Sequence, residues 1–200
     1  MAKIKLTKNE LKKQKDELKM FRRYLPTLML KKQQLQMEIR TTEARIRDLM
    51  TEKDRIDESF KAWIAVFGET GVFVPGILTV TEIRTVSGNI AGVEIPIFKG
   101  AEFEVAPYDL ISKPLWLDLA VDRVRKVLLL DLEAATLNEQ RKRLERELRT
   151  TTQRVNLFEK VKIPEAKTNI KMIRVYLGDQ QTAAVVRGKI AKRGMEKVAQ

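Results

Sequence analysis

The chain contains no cysteine and no histidine. Without thiolates there is neither a disulfide framework nor a cysteine metal site, and the cysteine-free composition fits a reducing cytosol. Without imidazole the usual general base near neutral pH and the commonest transition-metal ligand are both missing. Aromatic residues make up only 6% of the chain while charged residues make up 33%. That mixture suits long solvated helices better than one large globular core. Long hydrophobic runs are missing too. The longest, Trp63 to Phe67 and Val127 to Leu130, fall far short of a bilayer span. The N-terminus alternates lysine with apolar residues and has no h-region, so it does not read as a secretory signal. No GxxxxGK[ST] phosphate loop and no GxGxxG fingerprint occurs. Acidic and basic side chains at helical spacing, such as Asp54 with Glu58 or Glu145 with Arg149, read as solvated helix faces. The hydroxyl run Thr150-Thr151-Thr152 has no adjacent base to activate it. The composition therefore points away from an enzyme, with no catalytic, cofactor or metal residues, and toward a function built on shape and contacts.

What is present is a stripe. Ile4, Leu11, Leu18, Leu25, Lys32, Ile39, Ile46, Lys53 and Phe60 recur every seven residues, and seven of these nine are apolar. Offset by three come Thr7, Gln14, Phe21, Leu28, Leu35, Thr42, Leu49, Ile56 and Trp63. An a/d seam of this length predicts a coiled coil. From about Leu115 a second helical pattern runs through Leu130, Leu137, Leu144, Leu148, Val155 and Phe158, and resumes after Pro164 with Ala166, Ile170, Ile173 and Leu177. Between them, residues 68–114 hold six of the nine glycines and four of the six prolines, which ends regular helix there. Three zones follow: an N-terminal coiled-coil helix over 1–67, a cap over 68–114 and a C-terminal coiled-coil helix over 115–200, together one structural unit.

Inside the cap, the β-branched alternation of residues 77–86 and the run Ile90, Val93, Ile95, Ile97 predict a β-hairpin. Ser87-Gly88-Asn89 is read as its turn, Gly92 as a bulge and Pro96 as the mark of an edge strand. Pro26 predicts a kink in the first helix, and Pro164 either a kink or a new segment in the second. The expected fold is mainly α: a long antiparallel two-helix coiled-coil hairpin, roughly 90 Å long for sixty helical residues, with the small cap at one end and both termini at the other.

Charge suggests a register. Lys32 and Lys53 interrupt the first seam, and Arg141 and Lys162 the second. Facing residue numbers adding to about 193 would oppose like charges, which is costly in a half-buried seam. A register near 200 avoids this by setting Lys53 beside Leu148, Phe60 beside Arg141 and Ile39 beside Lys162, and is the one expected. The net charge of +12 is concentrated at the chain ends: residues 1–35 carry +8, residues 161–200 carry +6, and the rest sum to −2. In the antiparallel layout the basic segments meet at one tip, represented by Lys3, Lys5, Lys8, Lys192, Arg193 and Lys197.

Three stretches resemble one family. They are Leu28-Met29-Leu30-Lys31-Lys32-Gln33-Gln34-Leu35, the segment Asn89 to Phe98 (with Gly92, Val93 and Pro96 inside it), and Gln153-Arg154-Val155-Asn156-Leu157-Phe158-Glu159-Lys160-Val161-Lys162-Ile163-Pro164. The last is the most specific. With the helix–cap–helix layout they resemble the D subunits of the rotary V-type and archaeal-type ATPases, over essentially the whole chain. The resemblance implies a non-catalytic central shaft whose terminal end enters a ring of catalytic and non-catalytic subunits. It also implies partners at the other end: the small companion F subunit and a funnel-shaped subunit above the membrane ring, with Asn89, Gly92, Val93, Pro96 and Phe98 as candidate contacts. The implied setting is cytoplasmic, peripheral to the membrane as part of the complex, with no direct insertion and no cofactor on the shaft.

The rival reading is a basic coiled coil that binds nucleic acid or tethers other molecules, supported by the pI near 9.9. Against it, the basic segments hold only Phe21, Tyr24 and Tyr176 for stacking on bases, and the apolar seam runs through the basic region. A membrane-surface helix fails on the same seam, because the apolar stripe is committed to a partner helix.

Overall fold

In a computed structural model, which describes residues 4–61, 76–108, 114 and 116–198, the chain is mainly helical with one antiparallel hairpin. Helix α1 covers Lys8–Lys61, strand β1 Leu78–Ile90, strand β2 Val93–Val105, and helix α2 Trp116–Asn156. A π turn over Leu157–Lys162 leads directly into helix α3, Ile163–Val198. Two compact units cut across the three zones of the sequence: a terminal unit, residues 1–31 with 151–200, and a central unit, residues 32–150.

Helix α1 begins where local chemistry says it should. Thr7 Oγ1 accepts a hydrogen bond from the Glu10 backbone N–H at 3.3 Å, satisfying one of the donors that a helix start leaves without a partner. The helix then passes through Pro26 without ending. Among the described residues of the α1 seam only Thr7 is exposed; all the others, including Leu11, Leu18, Leu25, Leu28, Leu35, Ile39, Ile46, Leu49 and Ile56, are buried or half-buried.

In the central unit α1 and α2 are antiparallel, because Lys53 pairs with Asp131 and Ile39 packs with Leu144. The register differs from the one expected. Ile39 meets Leu144 rather than Lys162, Lys53 meets Asp131 rather than Leu148, and Phe60 lies under Arg123 rather than beside Arg141. Facing numbers add to about 183, not 200. The expectation weighed only repulsion between seam cations. The structure instead meets Lys53 with an acid: both Asp131 oxygens accept from Lys53 Nζ, at 2.7 and 2.8 Å. Beside the seam, Glu133 pairs with Arg45 at 3.1 Å. Attraction at contact distance outweighs avoided repulsion at longer range.

The hairpin also departs from expectation. Its strands run to thirteen residues each, and the turn is Ala91-Gly92, not Ser87-Gly88-Asn89. Both turn residues have positive φ, 51° and 78°, the two-residue arrangement that matches strand twist. Asn89 Oδ1 accepts from the Gly92 N–H at 3.0 Å. Gly92 therefore belongs to the turn. The breaks in register fall at Val80/Glu82 and Arg84/Thr85 instead. Pro96 pairs with Ser87 in a ribbon that has two strands among the described residues, so each is an edge and the missing N–H is tolerated.

The hairpin lies alongside α2 rather than beyond the ends of the helices. At its turn end, Ile95 is 2% exposed and packs with Leu35, Ile39 and Leu144, with Ile90, Ala91, Val93 and Leu148 around them. At its open end Ile77 packs with Leu117 and Val121. The lengths agree: thirteen strand residues reach about 43 Å, and the helix from Leu117 to Leu144 rises about 40 Å. Polar contacts fasten it along the way. Gln140 donates to the Pro96 carbonyl, Arg143 to the Glu94 carbonyl at 3.3 Å, and Tyr108 to Asp118.

In the terminal unit the pairing is again antiparallel. Phe21 and Phe158 have ring centroids 5.2 Å apart, and Asn169 Nδ2 donates to Gln14 Oε1 at 3.3 Å. Here Pro164 neither breaks nor restarts the helix. The Ile163 N–H reaches back five residues to the Phe158 carbonyl, which widens the turn just ahead of the proline. That widening absorbs one extra residue. Thr151, Val155, Phe158 and Lys162 follow the heptad; a strict continuation would then bury Glu165, Asn169, Met172 and Tyr176. Asn169 is buried, but Glu165, Met172 and Tyr176 are exposed, and Ala166, Ile170, Ile173 and Leu177, each displaced by one, are covered instead. The α1 side of this unit keeps its heptad without a skip.

Candidate functional site

Among the described residues no cluster of acidic side chains could hold a metal ion, and no helix is long and apolar enough to cross a membrane. The candidate surfaces are contact surfaces.

The basic tip is spread out rather than concentrated. Leu6, just before α1, shares a groove with Met172, Val175, Tyr176 and Asp179 of α3. Lys5 and Lys8 flank that level and are exposed. Lys192 and Arg193 are exposed too, but lie at least thirteen residues further along α3, about 20 Å of helix. Lys3 and the side chain of Lys197 lie outside the described residues. The register explains the separation: facing numbers near 183 leave the end of α3 running past the start of α1. From Gly178 to Met195 every residue except Ala183 is exposed, and Val185, Val186, Ile190 and Met195 are each between 48% and 69% exposed.

The hairpin residues have mostly inward tasks. Val93 and Pro96 are half-buried, the first against the Leu144 cluster and the second through its carbonyl. Phe98 is half-buried and Asn89 is exposed while bracing the turn. Val86 and Ile97, paired across the ribbon, stay 52% and 37% exposed.

One surface escaped the reading of the sequence. In the terminal unit α1 and α3 form a groove with Lys15, Lys19 and Arg22 on one wall and Lys167, Lys171 and Arg174 on the other. Leu18, Ile170 and Val175 line it as well. The signal was available: each triplet is spaced by four and then three, and so shares one helix face.

Among the described residues, the two titrating groups with clear shifts are structural. The hydrogen bond to Asp131 raises the Lys53 ammonium above its ordinary value. The hydrogen bond to Asp118 raises the Tyr108 phenol.

Two antiparallel helical pairings, an inlaid two-stranded ribbon and surfaces made of cations and apolar side chains define a mainly helical protein that offers contact surfaces. The ATP synthase D subunit family matches residues 10–193, and the chain belongs to it. It is 54% identical over 197 residues to the V-type ATP synthase D subunit of Borreliella burgdorferi, covering 98% of this chain and 97% of that one. It is 34% identical over 202 residues to that of Chlamydia pneumoniae, covering 96% and 93%. Against that of Chlamydia muridarum it is 31% identical over 198 residues, covering 98% and 97%.

Proposed function

We propose that this chain is the central-stalk component of a V-type ATP synthase, transmitting torque between the ring that hydrolyses or makes ATP and the ring that moves ions across the membrane. Membership of the family of D subunits is the observation that carries this reading. The paired helices suit it physically. A shaft must resist twisting, and two interlocked helices resist better than one. An asymmetric shaft can favour a different state at each site of the ring around it, which is coupling by differential contact.

On this reading the terminal unit engages the catalytic and non-catalytic ring subunits, with the single-helix end of α3 and the basic residues Lys3, Lys5, Lys8, Lys192, Arg193 and Lys197 facing them. Diffuse, screened attraction suits a part that must keep turning better than a few strong anchors do. The central unit, with Asn89, Gly92, Val93, Pro96 and Phe98 in its hairpin, is the side for the companion F subunit and the funnel-shaped subunit. The chain itself is non-catalytic, and it is cytoplasmic and held at the membrane through the complex. The test is co-expression with the ring subunits, followed by ATPase assay with and without this chain. Binding to the ring with altered turnover supports the stalk. Salt-sensitive nucleic-acid binding without ring binding supports the basic coiled-coil alternative.

A further inference from the structure

The groove between α1 and α3 in the terminal unit is unusual in its charge. Six cations line it and no carboxylate does. None of the six forms an ion pair with a described residue. At other places the charges are mixed or matched. The neighbouring groove on α1 holds Lys12 and Lys13 with Asp16 and Glu17, and Arg141, Arg143 and Lys162 each pair with a glutamate on the same helical stretch. Cations gathered on one face repel one another even in water, and an anionic occupant removes that cost.

The shape of the groove narrows the occupant. Lys15 to Arg22 and Lys167 to Arg174 each extend about 10 Å along their helices, so the charges form two parallel rails rather than one focus. Between the rails the lining is apolar: Leu18, Ile170, which is 8% exposed, and Val175, which is 57% exposed. The helix N–H groups here are bonded within their helices, so no backbone donors converge on a point as they do around a bound phosphate. No aromatic ring lines the groove to stack on a base. Two charged rails over an apolar floor match a ligand with carboxylates on both edges and an apolar side chain between them. That is an amphipathic protein segment lying lengthwise.

We propose that this groove docks an acidic amphipathic segment of a partner protein, with carboxylates on Lys15, Lys19, Arg22, Lys167, Lys171 and Arg174 and an apolar side chain over Leu18 and Ile170. The proposal goes beyond the stalk reading and is tested without the ring, so either can fail while the other stands.

The experiment uses the full-length chain and a short fluorescent peptide with glutamates flanking two leucines spaced four apart, read by anisotropy. The peptide binds saturably. Replacing its leucines with serine weakens binding about tenfold. Lys19→Glu with Lys171→Glu weakens it about tenfold or more, while Lys12→Glu with Lys13→Glu leaves it within about twofold. Circular dichroism checks that each variant keeps its helix content, and Lys19→Gln with Lys171→Gln replaces the charge reversal if that variant unfolds. Four results overturn the proposal: no saturable binding, equal loss in the Lys12/Lys13 variant, equal binding of the serine peptide, or tighter groove-dependent binding of duplex DNA, tripolyphosphate or phosphatidylserine vesicles.

Discussion

Lys53 Nζ sits 2.7 and 2.8 Å from the two carboxylate oxygens of Asp131, joining α1 to α2 at a position that the heptad assigns to an apolar residue. The pair shares the register of the Ile39–Leu144 contact in the central unit. The two side chains are 28% and 42% exposed, so the pair contributes at most about 1 kcal/mol. Asp131→Lys sets two cations face to face, and a loss of about 1–2 kcal/mol in urea unfolding is expected. Lys53→Met with Asp131→Ala gives stability equal to the parent or slightly higher.

The same pair sets an alkaline limit. Its hydrogen bond to Asp131 raises Lys53 above the ordinary lysine value of 10.5. A cation whose pKa is raised on folding stabilises fully below the unfolded value, and that contribution is lost as pH climbs through the folded one. Tyr108, raised above 10.0 by its bond to Asp118, acts in the same direction by holding its proton. Stability therefore falls from about pH 10 upward. Asp131→Asn and Tyr108→Phe each flatten that fall in unfolding curves taken between about pH 9 and 11.

The π turn makes an unusual prediction about deletions. It holds one residue more than an α-helix would, directly before Pro164. Removing Glu159 returns the helix to α geometry and its stripe to the α1 heptad, but sets the proline ring against a carbonyl one turn back. Deletion alone costs about 3 kcal/mol. Deletion with Pro164→Ala recovers most of that. Deleting Thr168 instead shifts Ile170, Ile173 and Leu177 off the covered face and costs considerably more, several losses of about 2–4 kcal/mol each. Chemical unfolding of the three variants separates these outcomes.

At the hairpin turn, Gly92 has a φ of 78°. Gly92→Val imposes a β-branched side chain on left-handed backbone, and a loss of about 1–2 kcal/mol follows. At the same end, Leu144→Ala and Ile95→Ala each cost about 2–5 kcal/mol. Because the two side chains share one cluster, their double variant departs from additivity by more than about 0.5 kcal/mol.

Much of this architecture was legible in the sequence. The α1 seam was readable because Leu11 through Ile56 repeat without a slip, and periodicity is a local property. The hairpin was readable from Thr79 through Ile97 for the same reason. Pairing was harder. Register depends on which residues face one another across helices, and nothing local marks Asp131 and Glu133 as the partners of Lys53 and Arg45. The turn was misplaced because Ser87-Gly88-Asn89 has stronger turn composition than Ala91-Gly92, yet Ile90 and Val93 are the residues packed beside Leu144. The π turn left a trace in the spacing, where Phe158, Lys162, Ala166 and Ile170 follow each other by fours. The basic groove was hidden because its two walls come from opposite ends of the chain.

The most direct measurement of the central claim is rotation. With no native cysteine, Thr85→Cys on the exposed face of β1 gives a single attachment point for a bead. The chain is assembled with surface-fixed ring subunits and ATP is added. Sustained turning of the bead in one direction, stopped when ATP is withdrawn, is the expected result. A ring that binds the chain and hydrolyses ATP while the bead only fluctuates about a fixed angle would contradict the assignment of this chain as the stalk that carries torque.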